Sequence, residues 1–455
     1  MAKRAKRRNL LFLHLEAISQ NAFNQYRKEL LPLWRLADQS AYFRRFNVSG
    51  INTVSFLSDV FYGSNCVLDQ FTSYRGSITH ENVAKAFSPY YERNLAELFA
   101  KKGYAAAYVI EHPMLAHTYT APGIQIGESP SCPVVRPATS EATRHYITDW
   151  LDRLDRSGQP FFLYHHDFSA GVSIVFPEPA LSLGTAIARQ HALFGENLSW
   201  LLGMLEDRGE LENTVIVAGG DHSSGFVDGP HLQDYFACRG SSMPFSYAGN
   251  TPLLIYNGDL ARGVHDQLVS SSDLYAYILR AFFPDEPLPE NIFPFPWCDI
   301  SSGERRIAYS QNRFAFQSDY NTYHNNEIQI PKGYAASDGE YRLVLAEDPE
   351  QPRRLGVGFY LEQSDPGNAH NLLRYFKLDD WFNLIAMNYP KTALDRFMFF
   401  WCYLSPMAVE DMMKKYAMLR QSLVEHIRTR EEYARRAYLP DIDYSFLDKT
   451  SFYQL

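Results

Sequence analysis

Cysteine is scarce. The 455 residues hold five, at Cys66, Cys132, Cys238, Cys298 and Cys402, with no CxxC pair among them. An odd, scattered set argues against a disulfide framework and against a Cys-rich zinc site. Long apolar runs are missing too. The longest, FMFFWCYL near Phe397, is far short of the roughly 20 residues a helix needs to cross a bilayer. The apolar stretch behind the opening MAKRAKRR soon meets His14 and Glu16. It has neither the length of a secretory h-region nor a small-residue cleavage site. Positive charge is thin. A net charge of -9 argues against a nucleic-acid binder. The one dense basic run is Lys3, Arg4, Lys6, Arg7 and Arg8, either a solvated terminus or a contact for anionic lipid. There is no internal repeat and no low-complexity segment. The expectation is a cytoplasmic protein with reduced thiols, at most peripheral at a membrane.

Hydrophobic residues make up 46% and charged residues 21%, enough apolar material for a sizeable core. Near-continuous apolar runs recur as NLLFLHLE at Asn9, YAAAYVIE at Tyr104, PFFLYHH at Pro160, NTVIVAGG at Asn213 and TPLLIYN at Thr251. Parallel strands buried on both faces require such runs. Between them lie helical stretches. From Thr185 to Asp207, Phe194, Leu198, Leu201, Leu202 and Leu205 recur at spacings of three and four and form one apolar stripe. Strands alternating with helices predict an α/β fold: a mainly parallel sheet with helices on both faces. After PFPWCDISSGERR the pattern changes. RFAFQS, EYRLVLAED and RLGVGFYLEQ read as a small antiparallel sheet. From about Asp379 to Arg436 the pattern is helical, with Met412, Met413, Tyr416, Leu419 and Leu423 as its stripe. The expected division is 1–300 for the core, 301–376 for the small sheet and 377–455 for a helical extension.

In open parallel sheets ligands bind beyond the carboxyl ends of the strands. Glu16, His165, His166 and the turn Gly220-Asp221-His222 stand at such ends. Asp221 and His222 follow two glycines, which permit a tight turn and close backbone approach. One hard oxygen beside one imidazole nitrogen suits Zn²⁺ or Mn²⁺, although a turn aspartate beside a hydrogen-bonded histidine would read the same way. In RRFNVSGINTVSFLSDVFYG a helix is expected to start near Thr53. Asn52 or Thr53 then serves as a plain N-cap. The same geometry places a hydroxyl in positive potential, where backbone N–H groups bind phosphate oxygens.

With these residues in hand, the chain resembles the alkaline phosphatase/sulfatase superfamily. The resemblance rests on NLLFLHLE for the first metal strand, NTVSFLSDVFYG for the nucleophile helix, NTVIVAGGDHSSG for the Asp-His metal turn and GFYLEQSDPGNAHNLL near the end, all in family order. NLAELFAKKGYAAAYV is similar to the family's helix-strand unit. True sulfatases carry a Cys or Ser in C/S-x-P-S-R, converted to formylglycine. Here the run is Thr53-Val54-Ser55-Phe56-Leu57, without the Cys, the Pro or the Arg. The first strand offers Glu16 alone in place of paired aspartates. Glu with a Thr nucleophile is similar to the lipoteichoic acid synthases and phosphoethanolamine transferases, which are membrane-anchored.

That resemblance implies an alkaline phosphatase-like core and a metal-dependent phospho-ester hydrolase or phosphotransferase. One divalent ion, Zn²⁺ or Mn²⁺ with Mg²⁺ or Ca²⁺ as alternatives, would be held by Glu16, Thr53, Asp221 and His222. Thr53 would carry a phosphothreonine intermediate. His231 would protonate the leaving group or grip a phosphate oxygen. His165, His166 and Asn52 would bind substrate, and His14 shares a strand face with Glu16. The implied partner is a phosphorylated small molecule, glycan or lipid headgroup. Peripheral membrane contact through the basic N-terminus and a homo-oligomer are further expectations. The alternatives are sulfuric ester hydrolysis, or a degenerate member that binds phosphorylated glycans or lipid headgroups without turnover.

Overall fold

The computed structural model describes residues 7–50, 53–65, 88–111, 129, 131–137, 139–170, 183–222, 249–302, 306–312, 333–347, 355–362, 372 and 406–436. The described part of residues 1–229 and 247–304 forms one compact unit, and that of residues 305–455 forms a second.

The first unit is built on strands β1 (Asn9–Leu15), β2 (Ala41–Asn47), β3 (Ala105–Glu111), β4 (Val134–Val135), β5 (Phe161–Asp167), β6 (Thr214–Gly220), β7 (Asn250–Tyr256) and β8 (Gly263–Ser270). Its helices are α1 (Gln20–Gln25), α2 (Leu31–Ala37), α3 (Thr53–Tyr62), α4 (Leu95–Lys101), α5 (Ser140–Ser157), α6 (Leu183–Asp207) and α7 (Asp273–Phe282). The eight strands form one sheet in the order β4-β3-β5-β1-β6-β7-β2-β8. Neighbours pair in parallel except at β7, which runs antiparallel to both β6 and β2.

All five apolar runs singled out in the sequence lie in this sheet. β1, β5 and β6 are buried at every position, as strands covered on both faces must be. Alternate residues serve opposite faces. Leu11, Leu13, Leu15, Val109, Leu163 and Ile216 face Leu33 and Leu36 of α2, Ile147 and Leu151 of α5, and the expected stripe of α6. The other face is aromatic. Phe12 stacks on Tyr164 and meets Phe56 of α3, Phe61 packs on Tyr164, and Phe99 of α4 stacks on Phe162. β8, GVHDQLVS, is an edge strand with an exposed polar first half, so no apolar run announces it.

At the amino edge of the sheet Arg8 pairs with Asp259 at 3.1 Å and donates to the Ala281 carbonyl at 2.9 Å. Arg7 donates to the Lys102 carbonyl. The last two residues of the basic run therefore fasten the entry of β1.

The second unit holds β9 (Ala308–Asn312), β10 (Gly333–Ser337), β11 (Tyr341–Glu347) and β12 (Leu355–Leu361), an antiparallel sheet in the order β12-β11-β10-β9, followed by α8 (Pro406–Arg436). Met412, Leu419, Leu423 and Ile427 of α8 pack on Tyr334, Leu343, Leu345 and Phe359. Met413 is exposed and Tyr416 half-buried. The RFAFQS run and residues 379–405 lie outside the described residues. Among the described residues no helix is long and apolar enough to cross a membrane.

Gly220 shows what the glycine pair does. A Cβ there would stand 2.7 Å from Thr251 Cβ and 2.8 Å from the Ile18 carbonyl oxygen. Gly220→Ala is expected to destabilise the metal-free protein by about 1–3 kcal/mol, read by urea denaturation.

Candidate active site

Register brings the acids together. Leu15 of β1 pairs with Gly220 of β6, so the next residues, Glu16 and Asp221, leave adjacent strands side by side. Ala17, with φ 57°, then turns the chain and donates its N–H to Asp221 Oδ1 at 2.9 Å. The His222 N–H donates to the same oxygen at 2.8 Å. With Oδ1 so engaged, Oδ2 faces the site.

β2 runs parallel to β8 and opposite to β7, so it ends at the same edge as β1, and α3 begins there. Thr53 opens α3 as the sequence predicts. Asp59, one turn and a half on, accepts hydrogen bonds from the Ser49 and Ser271 hydroxyls and fastens the helix to its neighbours. Thr53 Oγ1 donates to Asp221 Oδ2 at 2.9 Å, lies 3.2 Å from His222 Nε2, and stands 3.5 Å from both carboxylate oxygens of Glu16. His222 Nε2 is 3.1 Å from Asp221 Oδ2 and 3.6 Å from Glu16 Oε1.

Glu16 and Asp221 are buried. Burial, reinforced by the charge of Asp221, pushes the Glu16 carboxyl well above its ordinary value. Burial opposes ionisation of Asp221 as well, but His222 and His14 outweigh it and hold that carboxyl well below. Two carboxylates crowded out of water need a positive partner to stay ionised together. One oxygen from each acid and a nitrogen of His222 lie within 4.8 Å of one another. With the Thr53 hydroxyl this is an oxygen-rich set with one imidazole, which fits a divalent cation such as Zn²⁺ or Mn²⁺.

His14, Glu16 and His166 form a second close group. The two rings stack in parallel, 3.6 Å apart and 5° from coplanar. In-plane lone pairs on such rings run side by side and do not converge on one ion. His166 is wholly buried, with Nε2 2.8 Å from Glu16 Oε2 and Nδ1 3.2 Å from the Tyr108 hydroxyl. It sits beneath Glu16, away from any open surface.

His165 projects to the opposite face of the sheet. Its Nε2 lies 3.8 Å from Glu111 Oε2. There Asn197 of α6 donates to Glu111 Oε1 at 3.1 Å and to Asp167 Oδ2 at 3.0 Å, joining two buried acids. Asn52 and His231 lie outside the described residues.

Tyr108, Tyr164, Asn197 and Asp167 escaped the sequence reading. Tyr164 stands two residues before His166, as His14 stands two before Glu16, and that spacing on one strand face was the available signal. Asn197 carried none, because it lies on a helix whose apolar stripe says nothing of its polar neighbours.

No protein-family model matches the chain, and no curated protein matches it by sequence. Solved structures do match by shape. A 2-O GAG sulfatase superposes with a TM-score of 0.58 at 12% identity, over 91% of this chain and 94% of that one. A protein solved with its substrate D-glucosamine-2-N,6-O-disulfate gives 0.56 at 12%, over 96% and 100%. The lipoteichoic acid synthase LtaP from Listeria monocytogenes gives 0.52 at 14%, over 80% and 89%. The chain has the sulfatase-like alkaline phosphatase fold. At these identities the likeness is one of architecture alone.

Burial, and then the charge of Glu111, raise Asp167 from its ordinary value of 3.8 to about 6. Between about pH 4 and pH 6 the folded chain keeps a proton that the unfolded chain has lost. Stability is therefore expected to fall by up to about 3 kcal/mol as pH rises through that window. Denaturation curves of wild type and Asp167→Asn check this, since the variant should lack that slope.

Proposed function

We propose that the chain is a metal-dependent phospho-ester hydrolase or phosphotransferase that works through a phosphothreonine on Thr53. The observation that carries this reading is the seat of Thr53 Oγ1. It lies 2.9 Å from Asp221 Oδ2 and 3.2 Å from His222 Nε2, beside Glu16, at the start of a helix.

Glu16, Thr53, Asp221 and His222 would hold one divalent ion, Zn²⁺ or Mn²⁺. Bound there, the ion supplies positive charge that favours the threonine alkoxide and offsets charge on the transferring phosphoryl group. Thr53 Oγ attacks phosphorus in line with the departing ester oxygen. The Oγ–P bond forms as the ester P–O bond breaks, the hydroxyl proton passes to solvent, and the leaving oxygen takes a proton from water. Backbone N–H groups in the first turn of α3 have no partner within the helix and offer hydrogen bonds to phosphoryl oxygens. Water or an acceptor alcohol then attacks the phosphothreonine, and Thr53 regains its proton.

The substrate class follows from two supports. A threonine hydroxyl in place of the formylglycine precursor favours phosphoryl over sulfuryl transfer. The fold is shared both with LtaP and with a protein holding a sulfated sugar as its substrate, which points to a phosphorylated glycan or lipid headgroup.

Thr53→Ala is expected to lower phosphodiester turnover by about 10³-fold or more. Mass spectrometry of the wild type quenched during turnover should find phosphate on Thr53. Nitrophenyl phosphate, a phosphodiester and nitrophenyl sulfate assayed side by side complete the test. Turnover of the sulfate alone, or full activity in the alanine variant, would refute the reading.

A further inference from the structure

Two buried histidines stand behind the proposed metal ligands, and each has a tyrosine behind it. Tyr108 hydroxyl, His166 Nδ1, His166 Nε2 and Glu16 Oε2 follow one another at 3.2 Å and 2.8 Å. Tyr164 hydroxyl, His14 Nδ1, His14 Nε2 and Asp221 Oδ2 follow at 2.8 Å and 3.1 Å. We infer that the first of these is a Tyr-His-carboxylate relay, in which His166 aims Glu16 toward the shared cation; the second stops at His14, whose Nε2 lies 3.1 Å from Asp221 Oδ2 without a hydrogen bond. His166 is then a positioning residue. The inference deepens the proposed function and rests on its metal site.

These contacts follow from strand geometry. Tyr164 and His166 share one face of β5, and His14 and Glu16 share that same face at β1. His14 is paired in register with His166, and Tyr108 of β3 with Tyr164 of β5. The lateral neighbours at each level are therefore two imidazoles and, one step lower, two phenols.

Packing fixes the planes of both rings. They stack on each other at 3.6 Å, Phe168 stacks on His166 at 4.1 Å, and Phe56 meets His14 edge-on at 5.0 Å. A ring so enclosed cannot swing out to a substrate. What it can do is hold a carboxylate oxygen in one direction.

The direction of the hydrogen bonds is set from below. Tyr108 is buried and its phenol keeps the O–H. Donating to His166 Nδ1, it leaves the single imidazole proton on Nε2, where it meets Glu16 Oε2 at 2.8 Å. Glu16 then spends one lone pair on its histidine and keeps the others for the site it shares with Thr53. Partners of this kind, one step removed from a metal, orient the ligand and raise its basicity.

The test is Mn²⁺ affinity by isothermal titration calorimetry, with the full chain stripped of metal and its melting temperature recorded for every variant. His166→Leu removes the donor and is expected to weaken Mn²⁺ binding by about 10–100-fold. His166→Gln, which returns an N–H near the Nε2 position, should recover most of that loss. Tyr108→Phe deletes one hydroxyl from a packed core and should weaken binding in the same direction by less. It carries the comparison if the leucine variant does not fold. Wild-type affinity in His166→Leu or in Tyr108→Phe overturns the relay and leaves the four-residue metal site standing. Equal losses in the glutamine and leucine variants also overturn it, because that marks packing and not a donated hydrogen bond. If the wild type binds no Mn²⁺, the metal site and the relay fall together.

Discussion

Two buried carboxylates on adjacent strands, both within reach of one threonine hydroxyl, are the constraint around which this unit is organised. The hydrophobic sheet that carries Glu16 and Asp221 is also what makes them costly, since an isolated ionised carboxyl is strongly disfavoured away from water. Register between β1 and β6 sets them side by side, about 5 Å of strand spacing apart. Each neighbour then answers that crowding. Two backbone N–H groups occupy one oxygen of Asp221. His222, His14 and His166 surround the remaining oxygens. The hydroxyl of Thr53 closes the ring. A cluster so charged yet so enclosed makes physical sense around a cation.

The end of β5 divides this work between two faces. His165, His166 and Asp167 are consecutive and all buried, so alternation sends His166 one way and its two neighbours the other. On one side His166 supports Glu16. On the other, Asn197 joins Asp167 to Glu111, a pair of acids that share one amide: burial pushes both up, but His165 and its neighbours hold Glu111 below its ordinary value, while burial and the charge of Glu111 raise Asp167. The second cluster ties α6 to the carboxyl ends of β3 and β5.

Much of this was legible in the sequence because it rests on local pattern. The five apolar runs, the stripe of α6 and the start of α3 at Thr53 need only periodicity and a helix-start residue. Glu16, Asp221 and His222 stand at strand ends, where parallel sheets gather their chemistry; it is the family resemblance that adds Thr53 and groups the four as a metal site. Edge strand β8 was not legible, since a half-exposed polar strand has no apolar run. Nor were the tyrosines. Tyr108 and Tyr164 look like core aromatics, and only the pairing of β3 with β5 and of β5 with β1 shows that their hydroxyls meet histidines. The family resemblance implies a substrate role for His166; its ring lies buried beneath Glu16 and stacks on His14.

The fold by itself does not choose between sulfuryl and phosphoryl transfer, because the same architecture serves both a sulfatase and a lipoteichoic acid synthase. The choice falls to what stands at the first residue of α3 and to what faces it. On the proposed reading, Thr53 has a single hydroxyl, so a phosphothreonine formed there would need water or an alcohol to release it. Rigid aiming of Thr53 and its acids would then be more consequential, for the same small set of side chains would serve both the attack and the release.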